Sequence, residues 1–213
     1  MACDVKICGL TRAEDVALAI ACGAHYLGFI VEAESTRRLT AAQAAQLALP
    51  AKGLAKRVAV TVNADDALLE RITEHMQPDY IQCHGDESPK RVAEVARKFK
   101  LGTIKAIPIA SETDLKTAEE YVGVSDFILY DAKPPKGSKV RGGHGLKIDW
   151  TLIARAPRPK IFALAGGLTA GTVAQAISLT KAPIVDVSSG VEAQAGVKDA
   201  KMMKAFMNAV RQA

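Results

Sequence analysis

Residues 160–168, Lys-Ile-Phe-Ala-Leu-Ala-Gly-Gly-Leu, and 183–190, Pro-Ile-Val-Asp-Val-Ser-Ser-Gly, decide the fold. Each is a short apolar run that ends in small residues and glycine and is followed by an amphipathic stretch. A strand that ends this way and opens a helix offers unpaired backbone N–H groups to an anion. Working backwards from these two, six more apolar runs of the same kind precede them. The predicted strands are 4–8, 26–31, 56–62, 79–84, 103–107, 126–131, 160–165 and 183–188. The predicted helices are 12–22, 40–49, 65–76, 88–99, 111–122, 149–155, 169–180 and 198–211. Capping residues mark several helix starts: Thr11 with Glu14, Thr40 with Gln43, Asn63 or Asp65, Ser88, Ser111 with Asp114, and Thr169. Alternating βα units imply parallel strands, and eight of them favour a closed (β/α)8 TIM barrel over an open sheet. No GxGxxG follows the first strand, which weakens a dinucleotide fold. With no long linker and no break in composition, residues 1–213 read as a single barrel domain.

Composition supports this reading. Hydrophobic residues make up 49% of 213 positions and aromatic residues only 5%, which suits alanine-rich helices packed closely on a sheet. The net charge of +5 is spread over helices without interleaved aromatics. It therefore argues against nucleic-acid binding and is compatible with an anionic small molecule. No apolar run approaches the length of a membrane span. Cys3, Cys8, Cys22 and Cys83 have neither metal-ligand spacing nor a disulfide framework, so no metal is expected. Reduced thiols, together with an N-terminus that lacks a secretory pattern, point to a cytoplasmic protein.

Side chains alternate across a strand, so parity shows which residues share a face. Lys6 and Cys8 fall together, as do Gln82 and His84, then Phe127, Leu129 and Asp131, then Ile184, Asp186 and Ser188. Charged groups are costly between a sheet and its helices. The polar faces therefore belong inside the barrel near its mouth, which gathers Cys8, His84, Asp131 and Asp186 at the C-terminal ends of four strands. The backbone N–H groups of Gly166, Gly167, Ser189 and Gly190 are the expected phosphate cradle.

The string Lys6-Ile7-Cys8-Gly9-Leu10-Thr11 adds a family resemblance. With Gln82-Cys83-His84-Gly85, Gly142-Gly143-His144-Gly145, Ile148-Asp149-Trp150, Leu164 to Leu168, Val185 to Glu192 and Gly196-Val197-Lys198-Asp199, the chain resembles the phosphoribosylanthranilate isomerases of tryptophan biosynthesis from end to end. That resemblance implies a barrel without a cofactor, acting on a phosphoribosyl substrate as a monomer or homodimer. The reaction is an Amadori rearrangement to 1-(o-carboxyphenylamino)-1-deoxyribulose 5-phosphate. It implies Cys8 as the general base, Asp131 as the general acid and Arg37 as the partner of the anthranilate moiety. Asp186 is the rival acid, better suited to ordering Lys6 or the loops. Gln82 and His84 are expected to line the pocket, and residues 132–147 to form a basic lid.

The chain departs from the family at Thr36, Thr61, Cys83, His144 and Gly171, where proline, phenylalanine, leucine, a small residue and asparagine are usual. Thr61 thus removes a ring expected near the ligand. Two other readings stay open. One is a different phosphate-binding barrel isomerase or lyase, for which Lys6 and Lys105 are the Schiff-base candidates. The other is a non-catalytic module that keeps the phosphate cradle.

Overall fold

The structure is a computed structural model and describes residues 3–133, 148–157 and 159–213. Eight strands form the barrel: β1 Asp4–Cys8, β2 Tyr26–Val31, β3 Lys56–Thr61, β4 Tyr80–Cys83, β5 Gly102–Ile109, β6 Phe127–Ala132, β7 Phe162–Leu164 and β8 Ile184–Val187. All neighbours pair in parallel in chain order, and β1 pairs with both β2 and β8, which closes the sheet. The intervening helices are α1 Ala13–Ala21, α2 Ala41–Ala48, α3 Asp66–Met76, α4 Pro89–Phe99, α5 Glu112–Glu119, α6 Trp150–Arg155, α7 Val173–Thr180 and α8 Ala200–Arg211. No helix among the described residues is long and apolar enough to cross a membrane.

The interior and the outer layer form separate apolar clusters. Val58, Ile104, Leu129, Ala163 and Ile184 fill the barrel, while Ile7, Phe29, Ile81, Ile128 and Phe206 belong to the layer between sheet and helices. At the N-terminal end Tyr26, Tyr80 and Phe127 meet edge to face, with ring centroids 5.9–6.0 Å apart. These rings come from β2, β4 and β6, and Ile184 begins β8. Alternate strands therefore build one closing layer, as barrel geometry requires. The floor is apolar and aromatic, which leaves the polar inward residues at the other end.

Most predicted caps form. Thr40 and Gln43 make a capping box, as do Ser111 and Asp114, and Asp65 and Ser88 cap α3 and α4. Two do not. Thr11 does not cap α1, which starts after Arg12 without a side-chain cap; its hydroxyl donates instead to the carbonyl of Gly196, at 2.5 Å. Helix α7 starts four residues later than predicted, because Thr169 and Thr172 bond to each other in a turn. Two short pairings lie outside the barrel strands. Arg38–Leu39 extends β2, and Glu192–Gln194 folds back on Val197–Lys198 as a small hairpin. The second takes Lys198 out of the helix predicted to begin there.

Candidate active site

The strand register sets the first polar contact. Lys6 of β1 lies opposite Asp186 of β8, and Lys6 Nζ donates to Asp186 Oδ1 at 3.1 Å with both side chains buried. Burial disfavours the Lys6 charge, but Asp186 and Cys8 outweigh it and hold the lysine above its ordinary range. The bond favours the Asp186 carboxylate, since protonating it would strand a buried ammonium, while burial outweighs this and leaves the Asp186 pKa above its ordinary value. Cys8 sits two residues on, opposite Gly28. A methyl group on Gly28 would lie 2.8 Å from Cys8 Sγ and 3.1 Å from Lys6 Nζ. The bare backbone of β2 thus makes the room in which thiol and ammonium meet. Burial pushes the Cys8 thiol up, and Lys6 opposes that.

Asp131 lies three strands around the ring, near the end of β6. Its Oδ1 accepts from the N–H of Ala132 at 2.8 Å, and its Oδ2 is 3.4 Å from His84 Nε2. His84 Nδ1 is in turn 2.7 Å from the amide nitrogen of Gln82. With that amide donating, the ring proton sits on Nε2 and faces Asp131. Gln82 is wholly buried, and its Oε1 has no partner among the described residues. It is an unpaired acceptor on the side chain that bonds His84, the neighbour of Asp131.

The two glycine clusters touch each other. A methyl on Gly190 would overlap the carbonyl oxygen of Leu168, and one on Gly166 would lie 2.9 Å from the nitrogen of Ala132. Gly166 and Gly167 take φ of +84° and +66°, a conformation that turns successive N–H groups to one side. Ser189 and Gly190 open a 3-10 turn. None of the four N–H groups donates within the described residues. Unpaired donors converging from two neighbouring strand ends are an arrangement suited to an anion.

Arg37 follows β2 and is buried. Its Nε and Nη2 donate to Glu192 Oε1 and Oε2 at 2.8 and 2.6 Å, a planar two-point pair. Those hydrogen bonds raise the Arg37 pKa further. Lys198 Nζ donates to the same carboxylate at 2.7 Å, to the carbonyl of Cys8 at 2.6 Å and to that of Ser188 at 3.1 Å. Burial lowers the Lys198 pKa, with Glu192 opposing. Glu192 itself ends below its ordinary value: burial raises it, and Arg37 and Lys198 more than reverse that.

Parity therefore brings Cys8, Gln82, His84, Asp131 and Asp186 together as expected, and Arg37 comes over them from its loop. Glu192, Lys198 and Gly28 were not singled out as site residues. The signal for the first two was an acid and a lysine flanking a Gly196 turn just after the cradle. One candidate is corrected. Lys105 faces the outer layer, where its Nζ binds Glu87 Oε2 at 2.9 Å and the carbonyls of Gly85 and Cys83 at 2.6 and 3.3 Å. It cannot form a Schiff base in the barrel. Thr61 likewise has the parity opposite to inward Val58 and Val60, and its hydroxyl bonds the carbonyl of Gln82. A side chain there does not line the interior. Most of the proposed lid, including His144, lies outside the described residues. All four cysteines are free, and burial pushes Cys3 and Cys83 up to about 12.

Fold and site together define a (β/α)8 barrel with ionisable side chains and unpaired backbone donors gathered at its C-terminal mouth. Residues 5–209 match the family described as N-(5'phosphoribosyl)anthranilate (PRA) isomerase. A relative of that name from Rhodopseudomonas palustris is 46% identical over 211 residues, 99% of this chain and 97% of its own length. The structure of monomers made from the dimeric Thermotoga maritima phosphoribosylanthranilate isomerase superposes with a TM-score of 0.85 at 29% identity, over 99% of this chain and all of that one. A phosphoribosylanthranilate isomerase solved with reduced 1-(o-carboxyphenylamino)-1-deoxyribulose 5-phosphate gives 0.83 at 30%, with the same coverage. The chain belongs to the phosphoribosylanthranilate isomerase family.

Proposed function

We propose that this isomerase converts N-(5'-phosphoribosyl)anthranilate by proton transfer alone, with Cys8 as base and Asp131 as acid, residues 1–213 working as one barrel domain. Asp131 gives a proton to the furanose ring oxygen as the C1'–O4' bond breaks, leaving an iminium. Cys8 thiolate takes the C2' proton, and the electron pair moves to form the enolamine. Loss of the enol proton and gain of one at C1' complete the aminoketone. The cradle at Gly166, Gly167, Ser189 and Gly190 holds the phosphate. Arg37 receives the anthranilate carboxylate, while Gln82 and His84 line the pocket, with Gln82 Oε1 as an acceptor for a ribose hydroxyl.

The observation that carries this assignment is the Lys6–Asp186 bond at 3.1 Å. It engages Asp186 with the Lys6 ammonium, against the rise that burial imposes on its pKa, and so supports Asp131, at the mouth, as the carboxyl that exchanges the proton. The test is turnover of phosphoribosylanthranilate followed by loss of its fluorescence. Cys8→Ala and Asp131→Asn should each lower kcat by about 10²–10⁴-fold, with unchanged circular dichroism. Asp186→Asn retaining less activity than Asp131→Asn would reverse the acid assignment.

A further inference from the structure

We propose that Lys198 sets the charge of the carboxylate site and so makes the enzyme prefer a carboxylated aromatic amine. The proposal rests on the reading of Arg37 as the partner of that carboxylate. Taken alone, Arg37 and Glu192 form a closed, neutral two-point pair, which is a poor site for another anion. Lys198 changes this. Its nitrogen donates to three acceptors, Glu192 Oε1, the carbonyl of Cys8 and the carbonyl of Ser188. A neutral amine has only two N–H bonds, so this geometry requires the ammonium form. The buried trio of Arg37, Glu192 and Lys198 then carries one net positive charge.

Among the described residues, the acid that bonds the trio from outside is Asp15, which accepts from the Lys198 backbone N–H at 3.1 Å; Arg12 bonds Asp15 at 3.0 and 2.7 Å and also pairs with the exposed Glu14 at 3.4 Å. Cys8 lies close enough to feel both cations; burial favours its neutral thiol in the enzyme that meets the substrate, and the thiolate that forms for proton abstraction draws first on Lys6. An uncompensated buried charge is costly unless something pairs with it. Among the described residues nothing accepts from Arg37 Nη1, so that edge of the guanidinium is left for a ligand. Its stem is fixed too, because a methyl on Gly9, the residue after Cys8, would overlap Arg37 Cδ. Glu192 fixes the plane of the guanidinium, and Lys198 supplies the charge that Glu192 would otherwise cancel. The arrangement suits a carboxylate at the Cys8 side of the mouth.

The test compares two substrates made from ribose 5-phosphate, one with anthranilate and one with aniline, which lacks the carboxylate. The readout is the ratio of their kcat/KM values. It does not depend on how much of a preparation is folded. Lys198→Met, or Lys198→Gln where Met does not fold, should lower the ratio about tenfold, in the range of one close charge pair. Adding Glu192→Gln to either variant restores the net charge and should recover most of the ratio. A purely structural lysine would slow both substrates alike and leave the ratio unchanged, which overturns the proposal. So does a double variant that fails to recover a lowered ratio. Arg37→Ala separates the two readings: if it leaves the ratio at the wild-type value, the carboxylate site itself is wrong.

Discussion

Cys8 works against its surroundings. A thiol serves as base only when ionised, and burial raises the Cys8 pKa while the Lys6 ammonium pulls it back. The sign follows directly. Because the pKa in the folded protein lies above the ordinary thiol value, the thiolate fraction grows as pH rises. The kcat/KM for phosphoribosylanthranilate should therefore climb between about pH 7 and 9. Lys6→Met should lower kcat/KM by a nearly constant factor from about pH 7 to 9, because the Cys8 pKa lies above that range with or without Lys6, and should move the upper end of the climb to higher pH. A wild-type profile flat over that range would remove the thiolate requirement.

At this scale the sequence was informative because strand parity is local. Cys8, His84, Asp131 and Asp186 needed only the position of each strand end. Lys198 and Glu192 were not readable in the same way. The bond from Arg37 to Glu192 joins residues 155 positions apart, and no periodicity records a contact between two loops.

Elements explain why the glycines are where they are. The turn after β7 and the 3-10 turn after β8 approach until a methyl on Gly190 would overlap the main-chain oxygen of Leu168. Backbone cannot yield as a flexible side chain does, so Gly190→Ala must push the two turns apart. It should cost about 1–3 kcal/mol of stability and weaken inhibition by inorganic phosphate. Gly171, one turn further along, is the control. Its nearest neighbour to an added methyl is Thr169 Oγ1 at 3.9 Å. Gly171→Asn, which restores the residue usual in the family, should change stability by no more than about 0.5 kcal/mol. Urea unfolding of both variants, with phosphate inhibition constants, checks the pair; a destabilised Gly171→Asn beside an unaffected Gly190→Ala would refute the packing account. The two glycine turns were legible as composition, at two strand ends. That the turns brace each other was not, since closure of β7 against β8 creates the contact. The late start of α7 has the same origin: two threonines satisfy each other rather than the helix end.

The whole molecule adds a long-range term. Eight βα units and the closure between β1 and β8 place Cys8, Gln82, His84, Asp131 and Asp186 at one end, above a floor of Tyr26, Tyr80 and Phe127. Lys6 is matched by Asp186 within that end, whereas Arg37, Glu192 and Lys198 together keep a positive charge. The chain as a whole carries +5. A substrate with a phosphate and a carboxylate brings nearly three negative charges at neutral pH, so its approach is attractive. Salt shortens the reach of that attraction, to about 8 Å at physiological ionic strength. It acts far less on groups already in contact. The kcat/KM should accordingly fall several-fold between about 20 and 500 mM sodium chloride, while kcat stays nearly constant. The aniline-derived substrate has one charge fewer and should show a shallower dependence. Steady-state rates for both substrates across a salt series decide it. Equal slopes would mean that the phosphate alone is steered and that the charge around Arg37 acts only after the substrate has arrived.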